Sequence, residues 1–374
     1  MLQNKIYQNY SLEILKTFLM ILMGLTLIAL TVRAVNFLDL IVENGYLVST
    51  YFHYSILNLF GIIPKFIPLS FLVTLTLFTV KHTQDSELVI LWTSGVKKIK
   101  LVNLFFVSSI LILIIYLTLS VFLTPLALNK SRNLLSQDHL NSFLPTIRSQ
   151  QFSDTFKGFT FIVEKKINNE IKHIFLHDTG SNLKNLSSNI SNVSSVTVLS
   201  EKGLVDERKL VLFNGEIISS KSNNEESEII KFEQLNIDLS DLVTTTIKLP
   251  KLQEISTISL LDCFLDKRKK TKVCENDSNK EIIPILIRRL ILPFYIPVIA
   301  LICSFLLLKR EKFYLNKIFI FTLSFFILLL TELIIRYTGL SEILRWSYIL
   351  SPFLMISLIY FLLQYKFSSE AKTT

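Results

Sequence analysis

The sequence predicts an α-helical membrane protein with six transmembrane helices, arranged 3 + 3, and an inserted all-β domain of jelly-roll-like kind. Three observations predict it. Apolar runs long enough to cross a bilayer, which takes about 18 residues or more, fall at roughly 14–35, 56–80, 101–125, 286–308, 318–337 and 346–364. Between the third and fourth runs lie about 160 residues of more polar sequence built from short alternating stretches. Half of the 374 residues are hydrophobic and the mean hydropathy is +0.48, which suits lipid-facing surface, and six spans in one chain exclude a soluble enzyme. The expected organisation is a helical half over 1–125, a β domain with its connector over 126–285, and a second helical half over 286–374.

The first run reads as a span and not as a signal peptide. Its core from Phe18 to Val32 is long, nothing like an A-x-A site follows, and five further spans come after it. Basic residues in the short loops then set the orientation. With the N-terminus inside, the inner segments carry Lys5; Lys81, Lys97, Lys98 and Lys100; Lys309, Arg310, Lys312 and Lys317; and Lys366 and Lys372, eleven in all, against Arg336 and Arg345 in the outer loops. Both termini are therefore expected inside and residues 126–285 outside. The net charge of +9 follows from this bias or from contact with anionic head groups, and calls for no nucleic-acid partner.

Within the insert the period changes to two. Phe159 to Val163 and Ile171 to Leu176 flank Asn168-Asn169, a hairpin signal. Further short strands are expected at Ser195 to Leu199, Lys209 to Phe213, Glu216 to Ser219, Ile229 to Phe232 and Leu235 to Leu239, with Asn214-Gly215 as a second hairpin turn. Such a series argues for an antiparallel sandwich or jelly roll. Ser181 to Ser195 and Ser220 to Ser227 read as exposed loops.

Catalytic constellations are missing from the sequence. No G-x-x-x-x-G-K-[ST], H-E-x-x-H or G-x-S-x-G occurs. The five histidines are scattered, and His173 and His177 read as strand surface residues, not metal ligands. Cys263 and Cys274 either close a disulfide loop of about 12 residues on the outer side or stay free beside the solvated Lys267 to Lys270 run; Cys303 belongs to span four.

The loop between spans two and three, about 84–95, carries a short amphipathic helix. Asp85 or Ser86 can cap it, Leu88 to Trp92 give it an apolar face, and Gly95 can end it. It is either a docking plug for a cytoplasmic partner or an interfacial helix lying on lipid. Charges inside or beside the spans mark other candidates. Arg33 can snorkel to the head-group level as an interface anchor. Arg288 and Arg289 breach the positive-inside trend, and an anionic ligand is one reason for that. Glu332 and Arg336, four apart on span five, can form an ion pair.

Span two carries Pro64-Lys65-Phe66-Ile67-Pro68-Leu69, followed by Ser86-Glu87-Leu88 and Gly95-Val96, and span four carries Ile287-Arg288-Arg289-Leu290 with Pro293. With the 3 + 3 layout, these motifs resemble the LptF/LptG (YjgP/YjgQ) permeases of the lipopolysaccharide exporter, LptF more than LptG. The resemblance spans the chain in architecture and is strongest over about 55–100. It implies a multi-pass subunit of the bacterial inner membrane that works with a second LptF/LptG-type permease, a cytoplasmic LptB-like ATPase dimer, and LptC-like and LptA-like bridge proteins. ATP is then used by the partner ATPase, and this chain holds no cofactor. The resemblance makes Ser86, Glu87, Leu88 and Gly95 the ATPase-coupling helix, with Glu87 bonded to a basic group of the ATPase. Arg33, with Arg288 and Arg289, would meet the phosphates of lipid A, and Glu332 and Arg336 would stand near a gate. A permease for another lipid or lipoprotein, or a non-transporting envelope scaffold, are the alternatives; lipoprotein-releasing permeases usually show four spans, and a scaffold leaves the Ser86-Glu87-Leu88 helix without a role.

Overall fold

The computed structural model describes residues 2–42, 47–138, 149–156, 158–167, 169–179, 193–206, 209–221, 227–238, 251–265, 279–308 and 313–373. Most of the two Ser-rich loops, the Lys267 to Lys270 run, Cys274, and Lys309, Arg310 and Lys312 lie outside the described residues. The chain divides into two compact units: Met1–Val32, Leu57–Asn129 and Lys251–Thr374 form one, and Arg33–Ile56 with Lys130–Pro250 the other.

The helices in chain order are α1 Leu2–Phe37, α2 Asp39–Val42, α3 Val48–Gln84, α4 Glu87–Thr93, α5 Lys98–Thr118, α6 Thr124–Asp138, α7 Thr257–Leu265, α8 Asn279–Leu290, α9 Tyr295–Cys303, α10 Phe313–Tyr337 and α11 Glu342–Thr373. Six stretches are long and apolar enough to cross a membrane: Lys5–Phe37, Val48–Gln84, Lys98–Leu135, Lys280–Leu307, Asn316–Tyr337 and Glu342–Ser369. They match the six expected spans, and each extends past its apolar run into polar flanks.

Span four is the centre of the helical unit, its apolar stretch 78% buried against 17–39% in the other five. It is also the least regular. Pro284 lies inside α8, and Leu292–Phe294 and Ser304–Leu307 are tight 3-10 turns on either side of α9. Irregular backbone is tolerated at membrane depth where protein covers it, and Ile296, Val298, Ile299, Ala300 and Leu301 are fully enclosed. Outer faces such as Met20 and Ile28 on α1 and Leu354 and Phe361 on α11 are left as exposed apolar surface.

Prolines within the spans leave main-chain carbonyls that side chains then take up. Pro64 of α3 has no N–H for the carbonyl of Phe60 four residues earlier, and the Thr124 hydroxyl donates to that oxygen at 2.8 Å. In α11, Pro352 leaves the carbonyl of Tyr348, which accepts from Ser351 Oγ at 3.0 Å. Span three carries a π-helical turn, Leu119–Leu123, joining α5 to α6. Its Val121 carbonyl accepts the Thr257 hydroxyl at 3.0 Å.

The β domain is one antiparallel sheet of β1 Ser153–Phe156, β2 Phe159–Ile167, β3 Glu170–Asp178, β4 Val193–Asp206, β5 Lys209–Lys221 and β6 Ser227–Asp238, paired in chain order. Its long strands exceed what the sequence pattern suggests, because β3, β4 and β5 slip their inward-facing phase by one residue partway along. On β4 the buried positions run Val196, Val198, Ser200, then Gly203 and Val205; on β5, Leu210 and Leu212, then Ile217 and Ser219; on β3, Ile171, then Ile174, Leu176 and Asp178. Lys172 pairs with Lys202 and Ile174 with Ser200, while Lys202 pairs with Phe213 and Ser200 with Gly215, so the slips fall in one row across the sheet. His173 (φ 51°) and Asn214 (φ 48°) take the left-handed conformation there. Buried residues on both sides of this row belong to one hydrophobic cluster, so the sheet creases along it and encloses a single core.

Asn214-Gly215 is accordingly not a hairpin turn. β5 continues through it, and the two expected strands at Lys209 to Phe213 and Glu216 to Ser219 are halves of one strand. Glycine is needed at 215 for space: a Cβ would stand 2.2 Å from the Leu199 carbonyl oxygen and 2.5 Å from the Phe232 ring. The same crease joins the two expected strands of β6.

Candidate functional site

The short helix α4 hangs between spans two and three, and backbone geometry sets both of its ends. Ser86 is not a side-chain cap. It sits at φ 60° and makes no side-chain bond to the first turn, while its carbonyl accepts the Ile90 N–H at 3.1 Å. A left-handed residue directly after α3 turns the chain sharply, and that turn takes the Ser86 hydroxyl out of the capping role. The other end follows the sequence. Gly95 at φ +86° closes a Schellman motif in which Val96 N–H bonds the Leu91 carbonyl and Gly95 N–H that of Trp92, each at 3.1 Å.

One face of α4 is packed and the other is open. Leu88 is buried, and Leu91 and Trp92 pack against the helical core, with Lys98 Nζ over the Trp92 ring at 4.8 Å. Val89 and Ile90 are 49% and 65% exposed. Glu87, the first residue of the helix, is half exposed but turned inward through one oxygen: its Oε2 lies 2.5 Å from His82 Nδ1 and accepts from the Tyr10 hydroxyl at 3.5 Å.

Sequence reading passed over the core of this arrangement. His82 of α3 is enclosed, with Phe78 and Tyr10 rings at 4.2 Å and 5.0 Å and its Nε2 3.2 Å from Glu13 Oε2. Lys81 holds the other Glu13 oxygen at 2.7 Å. The available signal was a histidine five residues before a glutamate at the end of an apolar span.

A second polar cluster stands midway along span three, near the end of α5. The hydroxyl of Tyr116 donates to the carbonyl of Arg288 at 3.3 Å, and Arg288 Nη2 pairs with Glu332 Oε2 at 2.8 Å. Glu332 is thus bonded across to span four and not along its own helix to Arg336, which is exposed. Helical spacing allowed the i, i+4 pair, but packing of spans four and five offers Glu332 a partly covered guanidinium instead. Arg289, next to Arg288, has another fate. It is 5% exposed, and its fork donates to the Ile255 carbonyl and Thr257 hydroxyl at 2.9 Å and to the Gln253 carbonyl at 2.8 Å. The acceptors lie on the connector leading to α7 and on its first residue, so Arg289 clamps the connector and is not presented to a ligand. Arg33 is exposed near the end of α1. Cys263 is disulfide-bonded, and Cys303 is buried and free.

Among the described residues no group of acidic, histidine or cysteine side chains is placed to hold a metal ion. The sequence model for the lipopolysaccharide export system permease LptF/LptG matches residues 12–365. The chain belongs to the LptF/LptG family. No curated protein matches it. The match fits LptF and LptG alike, and covers both helical halves, the β domain, α4 and the Arg288–Glu332 pair. As a member of the LptF/LptG family the chain is a multi-pass permease of lipopolysaccharide export, a transport role and not an enzymatic one.

Proposed function

We propose that this LptF/LptG-family chain is one of two permease subunits in an ATP-driven exporter that withdraws lipopolysaccharide from the inner membrane and passes it through the β domain to a periplasmic bridge. Both termini and α4 lie in the cytoplasm, and residues 126–285 in the periplasm, in line with the eleven-to-two basic bias. The observation that carries the reading is α4 itself. A seven-residue helix fixed at both ends, packed by Leu88 and showing Val89 and Ile90, is a rigid knob of the size a groove on an ATPase can hold.

Glu87 contributes differently from the sequence expectation. Its inward bond to His82 orients the helix, and its remaining exposed edge is free to meet a basic group of the ATPase. For the lipid phosphates the candidates narrow to Arg33 and Arg288, since Arg289 is committed to the connector. A phosphate reaching Arg288 competes with Glu332, and bidentate Arg–phosphate geometry favours the exchange.

The test is reconstitution. The permease purified with its neighbouring subunits from mild detergent should retain a second 3 + 3 permease and an ATPase, and proteoliposomes of that complex should release lipopolysaccharide only with ATP. Purification without any ATPase, or release that ignores ATP, overturns the reading.

A further inference from the structure

We propose that His82 is the positioning residue that links α4 to spans one and two, so that displacement of α4 by the ATPase reaches those spans through the imidazole. This rests on the reading of α4 as the ATPase-docking element. The His82 side chain is 3% exposed, yet each ring nitrogen faces a carboxylate on a different element: Nδ1 lies 2.5 Å from Glu87 Oε2 on α4, and Nε2 lies 3.2 Å from Glu13 Oε2 on α1. The residue itself belongs to α3, so one ring touches three elements.

The two contacts are unequal. Nδ1 is hydrogen-bonded to Glu87, whereas Nε2 is close to Glu13 without the alignment of a hydrogen bond. The Glu13 contact at 3.2 Å is the longer of the two, and a small rotation of the ring would tighten it at the expense of the Glu87 bond. The link therefore has two arrangements, one bonded to α4 and one bonded to span one, and a shift of α4 that draws Glu87 away favours the second. Surrounding groups keep the exchange local. Lys81 holds Glu13 from its other oxygen at 2.7 Å, the Tyr10 hydroxyl supports Glu87 at 3.5 Å, and the Phe78 ring at 4.2 Å confines the imidazole. Phe78 also meets Phe105 of span three at 5.8 Å edge to face, which carries ring movement into the third span.

A residue that only packed α4 in place would need no polar partners on span one. The geometry instead joins a partner-facing helix to span two by a hydrogen bond and to span one by a close ionic contact, a continuous polar link of the kind that transmits a push in place of absorbing it.

The experiment uses the complete purified complex in proteoliposomes, comparing wild type, His82→Gln, Glu13→Gln and the double variant. The expected result is ATPase bound at wild-type stoichiometry, hydrolysis within about twofold, and lipopolysaccharide released per ATP reduced about fivefold or more in each single variant, with no further loss in the double. Glu13→Gln keeps the partly exposed side chain's shape, so it reports even where a change at His82 disturbs packing. Unchanged release per ATP in both single variants overturns the proposal. Release falling only in step with lost ATPase binding also overturns it, because His82 is then a packing residue for the docking helix. Wild-type permease that holds no ATPase sinks the docking reading itself, and the His82 proposal with it.

Discussion

The two polar junctions, one beside α4 and one beside the end of α5, are built on different principles. At one end His82, Glu13, Lys81 and Glu87 meet as side chain to side chain, with carboxylates that stay partly solvated. At the other, Arg289 is sealed against main-chain carbonyls and a threonine hydroxyl. Carbonyls belong to fixed backbone and cannot be exchanged without unfolding it, whereas carboxylates can turn to new partners. The first junction is suited to motion, the second to holding. Arg288, one residue from the clamp, returns to the first principle: its Glu332 partner is a half-exposed carboxylate.

The clamp should give the largest stability effect. Arg289→Leu removes three charge-assisted bonds and leaves their acceptors buried, an expected loss of about 3 kcal/mol or more. It would appear as a lower unfolding temperature in detergent and as new protease cleavage within 251–265. Arg289→Lys should recover only part, since an ammonium cannot fork to three acceptors. Full stability in Arg289→Leu would erase the contrast between the junctions.

At the mobile junction the expected effect is on association. Ile90→Asp replaces the most exposed apolar group of α4 with a charge, which should weaken ATPase binding at least about tenfold, the equivalent of losing one buried aliphatic side chain. The unfolding temperature should not change, because Ile90 is not part of the packed face. Titration of the solubilised permease with its ATPase reads both quantities.

How far these features were legible depended on whether their cause was local. The six spans were plain, because a run of apolar residues is its own signal. The crease in the β domain was not, since a one-residue slip breaks the period of two and makes a long strand look like two short ones with Asn214-Gly215 between them. Ser86 fitted a capping pattern, but the turn out of α3 decided its conformation. Glu332 found Arg288 and not Arg336 because a partner across a helix interface is invisible to spacing along one helix. Arg288 and Arg289 read alike in sequence, and only the connector folding back on span four separates them. Glu87 was found and His82 missed for one reason: helix-start position marks a glutamate, while nothing local marks a histidine whose carboxylate partners come from elsewhere in the chain.

Smaller effects sharpen the contrast further. A double-mutant cycle on Arg288 and Glu332 should give a coupling of no more than about 1 kcal/mol for folding, as for other partly exposed pairs. The same cycle should show a clear dependence of lipid crosslinking on Arg288, with Arg288→Gln lowering it and Lys97→Gln on the opposite side leaving it unchanged. Arg336→Gln should stay within about 0.5 kcal/mol of wild type in stability. A coupling between Glu332 and Arg336 larger than that between Glu332 and Arg288 would contradict the pairing across spans four and five.

The central claim is that α4 presents Val89 and Ile90 to an ATPase while His82 and Glu87 hold its base. Photo-crosslinkers placed at Ile90 and at Leu88 in the membrane-embedded complex test it most directly. The account predicts a protein adduct to the ATPase from Ile90 and none from Leu88, whose side chain is 1% exposed. Adducts from Ile90 to lipid alone would contradict it and would make α4 a helix that lies on the membrane surface.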